Sequence, residues 1–123
     1  MVNIIIADDE SVIALFLKLR LVAMGFNVIT TVISGQQAIE SIQIHKPDVI
    51  LMDIQMDNET DGINACSEIK KIDPSIKIVF LSANLESNYT NELANVSYDG
   101  YLEKPASKEK IKQCFTNLGF SIP

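Results

Sequence analysis

Five short apolar runs punctuate the chain, and between them apolar residues recur at three- and four-residue spacing. The tightest run, Asp48-Val49-Ile50-Leu51-Met52-Asp53, shows no alternation and stops on a carboxylate. A run of this kind suits a strand buried on both faces of a parallel sheet, where helices cover each side and no residue needs water. Asn3-Ile4-Ile5-Ile6-Ala7 repeats the pattern and ends on Asp8, Asp9 and Glu10. Ser11 is a candidate cap for a helix reaching about Met24, with Gly25 suited to the left-handed turn at its end. Phe26 to Val32 is β-branched and reads as a second strand.

Ser34-Gly35 leads into a helix with Ala38, Ile39 and Ile42 on one face, which ends near His45 and Lys46 before Pro47. His45 reads as a charge partner for that helix dipole. Ile54 to Asp61 is the longest loop. Gly62 opens a helix whose buried face would carry Ile63, Cys66, Ile69 and Ile72, and Asp73-Pro74 ends it. Ile76 to Leu81 is a fourth strand ending at Ser82-Ala83, followed by a weak helix over Glu86 to Asn95. Tyr98 to Leu102 is a short fifth strand before Glu103-Lys104-Pro105. The last helix spans Lys108 to Asn117 and ends at Gly119.

Strands alternating with helices specify right-handed βαβ crossovers. The expected fold is α/β: a five-stranded parallel sheet in the order 2-1-3-4-5 with helices on both faces, doubly wound in the flavodoxin-like manner. That order makes strands one and three neighbours and sets Asp8 and Asp9 beside Asp53. Ser82 and Lys104 follow strands four and five at the same edge, where open sheets of this kind bind ligands.

Composition narrows the function. The 123 residues, 47% hydrophobic and 21% charged, suit one domain spanning 1–123. A net charge of −6 with scattered Lys and Arg argues against nucleic-acid contact. No apolar run approaches the roughly 20 residues of a membrane span, and Met1-Val2-Asn3 leads straight into a strand, so a cytoplasmic protein without membrane contact is expected. Cys66 and Cys114 lie far apart without further ligands nearby and read as buried thiols.

Three carboxylates brought together either shift their pKa values or recruit a cation, and hard oxygen ligands with open positions suit Mg²⁺. Asp53, at the strand tip, is placed to attack phosphorus and form an aspartyl phosphate. Lys104 would bind a phosphoryl oxygen, Ser82 another, and backbone N–H groups near Gln55 and Ala83 the remainder.

The motifs Asp8-Asp9-Glu10, Asp53 after Val-Ile-Leu-Met, Asp61-Gly62, Leu81-Ser82-Ala83 and Gly100-Tyr101-Leu102-Glu103-Lys104-Pro105 together resemble the receiver domain of two-component response regulators, over essentially the whole chain. The resemblance implies phosphoryl transfer to Asp53 from the phospho-His of a histidine kinase or phosphotransfer protein. It implies Mg²⁺ held by Asp9 directly, by Asp8 largely through water, by Asp53 and by the Gln55 carbonyl. It also implies a switch pair, Ser82 moving toward the phosphate and the Tyr101 ring turning inward behind it. One departure is that Asp57 stands where the family usually has proline, and the loop to Asp61-Gly62 is one residue longer than the commonest form.

Each residue alone has a plainer reading. Asp53 could cap its loop, Asp8 and Asp9 could favour a helix N-terminus, Lys104 could be a solvated loop charge and Ser82 a turn residue. Jointly those readings are poor. Two other functions compete with the phosphorylatable, non-enzymatic switch. A receiver-like scaffold that is never phosphorylated would have no use for the full constellation. An aspartate-nucleophile phosphatase would need a general acid two residues after the nucleophile, where Gln55 stands.

The first helix adds a surface. Ile13, Leu17, Leu21 and Met24 form a stripe assigned to the core, while Leu15, Phe16, Leu19 and Val22 lie around the other side with only Lys18 and Arg20 to solvate them. Leu15, Leu19 and Val22 are therefore expected to form a partly exposed patch that docks kinase helices or a second copy of this domain in a homodimer.

Overall fold

The runs without alternation become strands because both of their faces are covered. The computed structural model describes residues 1–123 and orders them β1 (Asn3–Ala7), α1 (Ser11–Ala23), β2 (Asn27–Val32), α2 (Gly35–Ile44), β3 (Val49–Asp53), α3 (Asp61–Ile72), β4 (Lys77–Ser82), α4 (Thr90–Leu93), β5 (Gly100–Glu103) and α5 (Lys108–Asn117). The strands form one parallel sheet in the order β2-β1-β3-β4-β5, as the alternation of strands and helices predicts.

Successive side chains in a strand point to opposite faces, and here they feed two cores. Ile5, Ile50, Met52, Ile78 and Phe80 pack toward Ala38, Ile42, Ile63, Cys66 and Ile69 of α2 and α3. Ile4, Ile6, Leu51, Val79 and Leu81 pack toward Leu17 and Leu21 of α1 and Ile111 and Phe115 of α5. The register sets the functional edge. Ala7 pairs with Met52, so Asp8 emerges level with Asp53. Asp53 in turn pairs with Leu81, so Ser82 emerges beside it, and the Lys104 N–H donates to the Ser82 carbonyl at 2.7 Å.

Several local expectations are corrected. Ser11 caps nothing: Glu10 occupies the N-cap position without a side-chain cap, and its N–H is taken by Asp8 Oδ1 at 2.9 Å. In α1 the buried stripe is Ala14, Leu17 and Leu21, continued by Met24 just past its end, and Ile13 lies at its margin. Ile72, in the last turn of α3, is more than half exposed instead of buried. α3 opens at Asp61 and not at Gly62, and β5 begins at Gly100 and not at Tyr98. The weak helix over Glu86 to Asn95 is a 3₁₀ turn, Glu86–Tyr89, and a single α-helical turn, because its polar residues leave only Tyr89 and Leu93 to anchor it. α2 ends at Ile44, so His45 lies just outside it in extended conformation.

At the opposite edge of the sheet, Met1, Val2, Gly25 and Asp48 line one hollow together with Phe120 to Pro123. Phe26, Phe115 and Phe120 stack edge to face there, with centroids 5.0 and 6.0 Å apart. No helix is long and apolar enough to cross a membrane.

Candidate functional site

Asp53 and Ser82 are the last residues of β3 and β4, while Asp8 and Lys104 come directly after β1 and β5, and the parallel sheet delivers all four to one rim. Asp8 and Asp53 are buried and Asp9 is exposed. Ligand oxygens of Asp8, Asp9, Glu10 and Asp53 lie within 4.8 Å of one another. Glu10 is a fourth carboxylate where the sequence pointed to three. Lys104 Nζ sits between two of them, 2.8 Å from Asp8 Oδ2 and 3.1 Å from Asp53 Oδ2. The contact with Asp8 is ionic without hydrogen-bond alignment, which leaves Asp8 Oδ2 buried with no directed partner. A buried oxygen of this kind beside three further carboxylates fits a hard divalent cation in addition to the ammonium.

The rest of the rim is built from backbone. The Gln55 N–H donates to Asp53 Oδ1 at 3.2 Å, and Gln55, Ala83 and Ser82 line the same cleft as Asp53 and Lys104. Ser82 Oγ accepts the Asn84 N–H at 3.0 Å, while Tyr101 Oη donates to the Asn84 carbonyl at 2.8 Å. Asn84 Nδ2 donates to Tyr89 Oη. The two residues expected to act as a pair are thus joined through the two sides of one intervening residue. Tyr101 is partly buried against the α3 side of the core, and burial raises its phenol pKa.

Asp61 also contributes in a way that sequence patterns do not show. Its Oδ2 accepts the N–H of Gly35, at the start of α2, and that of Asp57 in the long loop. Asp57, standing where a proline is usual, therefore supplies a backbone N–H that proline lacks. On α1, Leu15, Leu19 and Val22 are each more than half exposed, as are Val12 and Phe16 beside them.

Charge at the rim is unevenly balanced. Burial pushes the Asp53 carboxyl up to about 6, against the pull of Lys104 and with help from the Asp8 charge. Burial also opposes the charge on Lys104, but Asp8 and Asp53 outweigh it and hold the ammonium pKa above its ordinary value. Folded Asp53 keeps its proton to higher pH than the unfolded chain, whose value is 3.8. Its contribution to stability therefore falls as pH rises between those two values, and the full cost stands above about pH 6. In divalent-free buffer Asp53→Asn should be more stable than the wild type above that pH, by at most about 3 kcal/mol. The gap should close below about pH 4, in urea unfolding of both proteins across the range. A gap that does not vary with pH would show that Asp53 ionisation is not its source.

Sheet order, an acidic rim and a lysine bridging two buried aspartates define a class: doubly wound α/β domains with an acidic phosphoacceptor-type site on the carboxyl edge. The chain belongs to the response regulator receiver domain family, which it matches over residues 4–116. It is 33% identical to the chemotaxis protein CheY of Bacillus subtilis over 109 residues, 89% of this chain and 90% of that one. It is 30% identical to CheY of Thermotoga maritima, covering 94% and 96% of the two chains. It is also 36% identical to the transcriptional regulatory protein PdtaR of Mycobacterium tuberculosis, where 85% of this chain spans 50% of the relative's length. The crystal structure of a CheX-CheY-BeF3-Mg complex from Borrelia burgdorferi shares the fold with a TM-score of 0.86 at 24% identity, covering 98% of this chain and 90% of that one. The chain is thus a signalling domain of the two-component class.

Proposed function

We propose that residues 1–123 act as one receiver unit that takes a phosphoryl group onto Asp53 from the phospho-His of a histidine kinase or phosphotransfer protein. The observation that carries this reading is Lys104 Nζ held between Asp8 and Asp53 on a buried strand edge, with Ser82 alongside. Near neutral pH most Asp53 is ionised and available as a nucleophile. One of its oxygens bonds to phosphorus, the bond from phosphorus to the imidazole nitrogen breaks, and the imidazole leaves with the electron pair. Lys104 then exchanges part of its pairing with Asp53 for a phosphoryl oxygen. The backbone N–H groups of Gln55 and Ala83 and the Ser82 hydroxyl supply the remaining donors.

For Ser82 Oγ to reach the phosphoryl group it must release the Asn84 N–H, which loosens the residue whose carbonyl anchors Tyr101. This link is the physical content of the proposed switch between Ser82 and Tyr101. A domain working this way takes part in its own phosphorylation without turning over a separate substrate.

Asp8, Asp9 and Asp53, with the Gln55 carbonyl, would hold Mg²⁺. When bound, the ion would neutralise the oxygens that must approach one another during transfer. Mg²⁺ should then stabilise the fold by about 1.4 kcal/mol at ten times its Kd, a rise of several degrees in Tm. Asp9→Ala should remove that response in thermal melts, with NaCl at matched ionic strength as the control. Equal responses from both proteins would place the cation elsewhere.

The exposed α1 stripe supplies the docking face for the donor's helices. Leu19→Glu should slow kinase-dependent transfer at least tenfold while changing stability by less than about 0.5 kcal/mol, since Leu19 lies outside both cores. Unaltered transfer would remove α1 from the interface. A homodimer through the same face is the competing occupant, and sedentation of the free domain as a dimer by analytical ultracentrifugation would favour it. Two free thiols suit a cytoplasmic setting, and the net charge of −6 opposes direct nucleic-acid contact.

A further inference from the structure

The Gln55 carbonyl, a proposed cation ligand, owes its direction to a hydrogen bond made by the next residue. The Gln55-Met56 peptide is trans, so its C=O and the Met56 N–H lie in one rigid plane and point opposite ways. The Met56 N–H donates to the Asn58 carbonyl at 3.2 Å, which folds the chain back on itself around Asp57. Asp57 is the middle of that turn, and its N–H donates to Asp61 Oδ2 at 3.1 Å. The same oxygen accepts the Gly35 N–H at 2.9 Å, so the turn is fastened to the start of α2. On the near side, the Gln55 N–H is held by Asp53 Oδ1 and the Ile54 carbonyl by the Gly62 N–H. Gln55 itself is exposed, so these bonds, and not packing, set its orientation.

We propose, on the reading of the Gln55 carbonyl as a Mg²⁺ ligand, that Asp61 is a positioning residue for the cation and acts through the Asp57 N–H. Asp61 stands outside the carboxylate cluster of Asp8, Asp9, Glu10 and Asp53, so its effect on the cation is transmitted through the loop. Proline, usual at this place in the family, would restrict the loop through its ring. In this longer loop a hydrogen bond that proline cannot make does so instead. Groups that orient a metal ligand typically cost about 10- to 100-fold in metal affinity when they are lost. The coupling is reciprocal, so bound Mg²⁺ tightens the Asp57 N–H bond in return.

The test is the Mg²⁺ Kd, measured by isothermal titration calorimetry on Asp57→Ala, Asp57→Pro and Asp57→Pro combined with Asp61→Ala. Both substitutions of Asp57 remove its carboxylate, but only proline removes the N–H. Asp57→Pro should therefore bind Mg²⁺ at least about tenfold more weakly than Asp57→Ala. Adding Asp61→Ala to Asp57→Pro should weaken binding by less than about twofold more, because the bond that Asp61 serves is already gone. Equal Kd values for the two Asp57 variants overturn the proposal. So does a further large loss in the double variant, which would mean that Asp61 acts through its charge alone. The wild type gives a readout that needs no variant to fold: saturating Mg²⁺ should slow hydrogen exchange of the Asp57 amide at least about fivefold. Glu59, exposed in the same loop, is the reference amide. Asp57 exchange that Mg²⁺ leaves unmoved overturns the proposal and leaves the cation site standing. Absence of saturable Mg²⁺ binding by the wild type overturns the cation reading itself, and this proposal with it.

Discussion

Asp53→Asn is expected to abolish acid-labile, hydroxylamine-sensitive phosphate incorporation. The amide is nearly isosteric with the carboxylate but lacks the anionic oxygen that must attack phosphorus, so the loss should be complete within detection. No neighbouring group should take over. Asp8 is buried with Lys104 against it, and Asp9 and Glu10 follow the end of β1 instead of lying at the tip of the central strand. The fold should survive, because the substitution removes a buried charge whose pKa is already pushed up to about 6. Near-ultraviolet circular dichroism and a retained cooperative melt would show that the loss is chemical and not structural. Undiminished labelling of the variant would sink the assignment.

Gly62→Ala should have the largest effect on stability. A Cβ at Gly62 would stand 1.9 Å from the Asp53 carbonyl oxygen and 2.9 Å from its carbonyl carbon. Both are backbone atoms, so no flexible side chain can give way. The first turn of α3 closes on the end of β3 here, with the Gly62 N–H donating to the Ile54 carbonyl at 2.9 Å. Adding one methyl group must push the helix away from the strand that carries Asp53. The cost should be about 4 kcal/mol or more, and Tm should fall by on the order of 15 °C. Asn64→Ala, at an exposed position in the same helix, provides the comparison. A Gly62→Ala protein as stable as the wild type would mean that α3 can shift without penalty.

The strands and the rim residues were legible because one physical rule covers both. An apolar run that stops on a polar residue marks a buried strand and its exit, and Asp8, Asp53, Ser82 and Lys104 each stand at such an exit. The doubly wound strand order 2-1-3-4-5, chosen from the common orders for such sheets and found in the structure, brings those exits together. What was not legible depends on contacts between distant segments. Asn84 shows no motif, yet it joins Ser82 to Tyr101. Asp61 reaches Gly35, 26 residues away. In α1 nearly every residue is apolar, so periodicity alone could not decide between Ile13 and Ala14 for the core, and it is Ala14 that the structure buries against the sheet. Ser11 failed as a cap because Asp8, one residue beyond the strand, already holds the Glu10 N–H that begins the turn.

The hollow shared by Met1, Val2 and Phe120 to Pro123 makes this domain convenient to build with. Both ends of the chain emerge on the edge away from the acidic rim, a strand's length of roughly 17 Å from Asp53. A fluorophore, affinity handle or fusion partner carried at either end is therefore kept clear of Asp53 and the acidic rim. The neighbouring ends are also near enough for a short glycine-rich linker to close the chain into a ring.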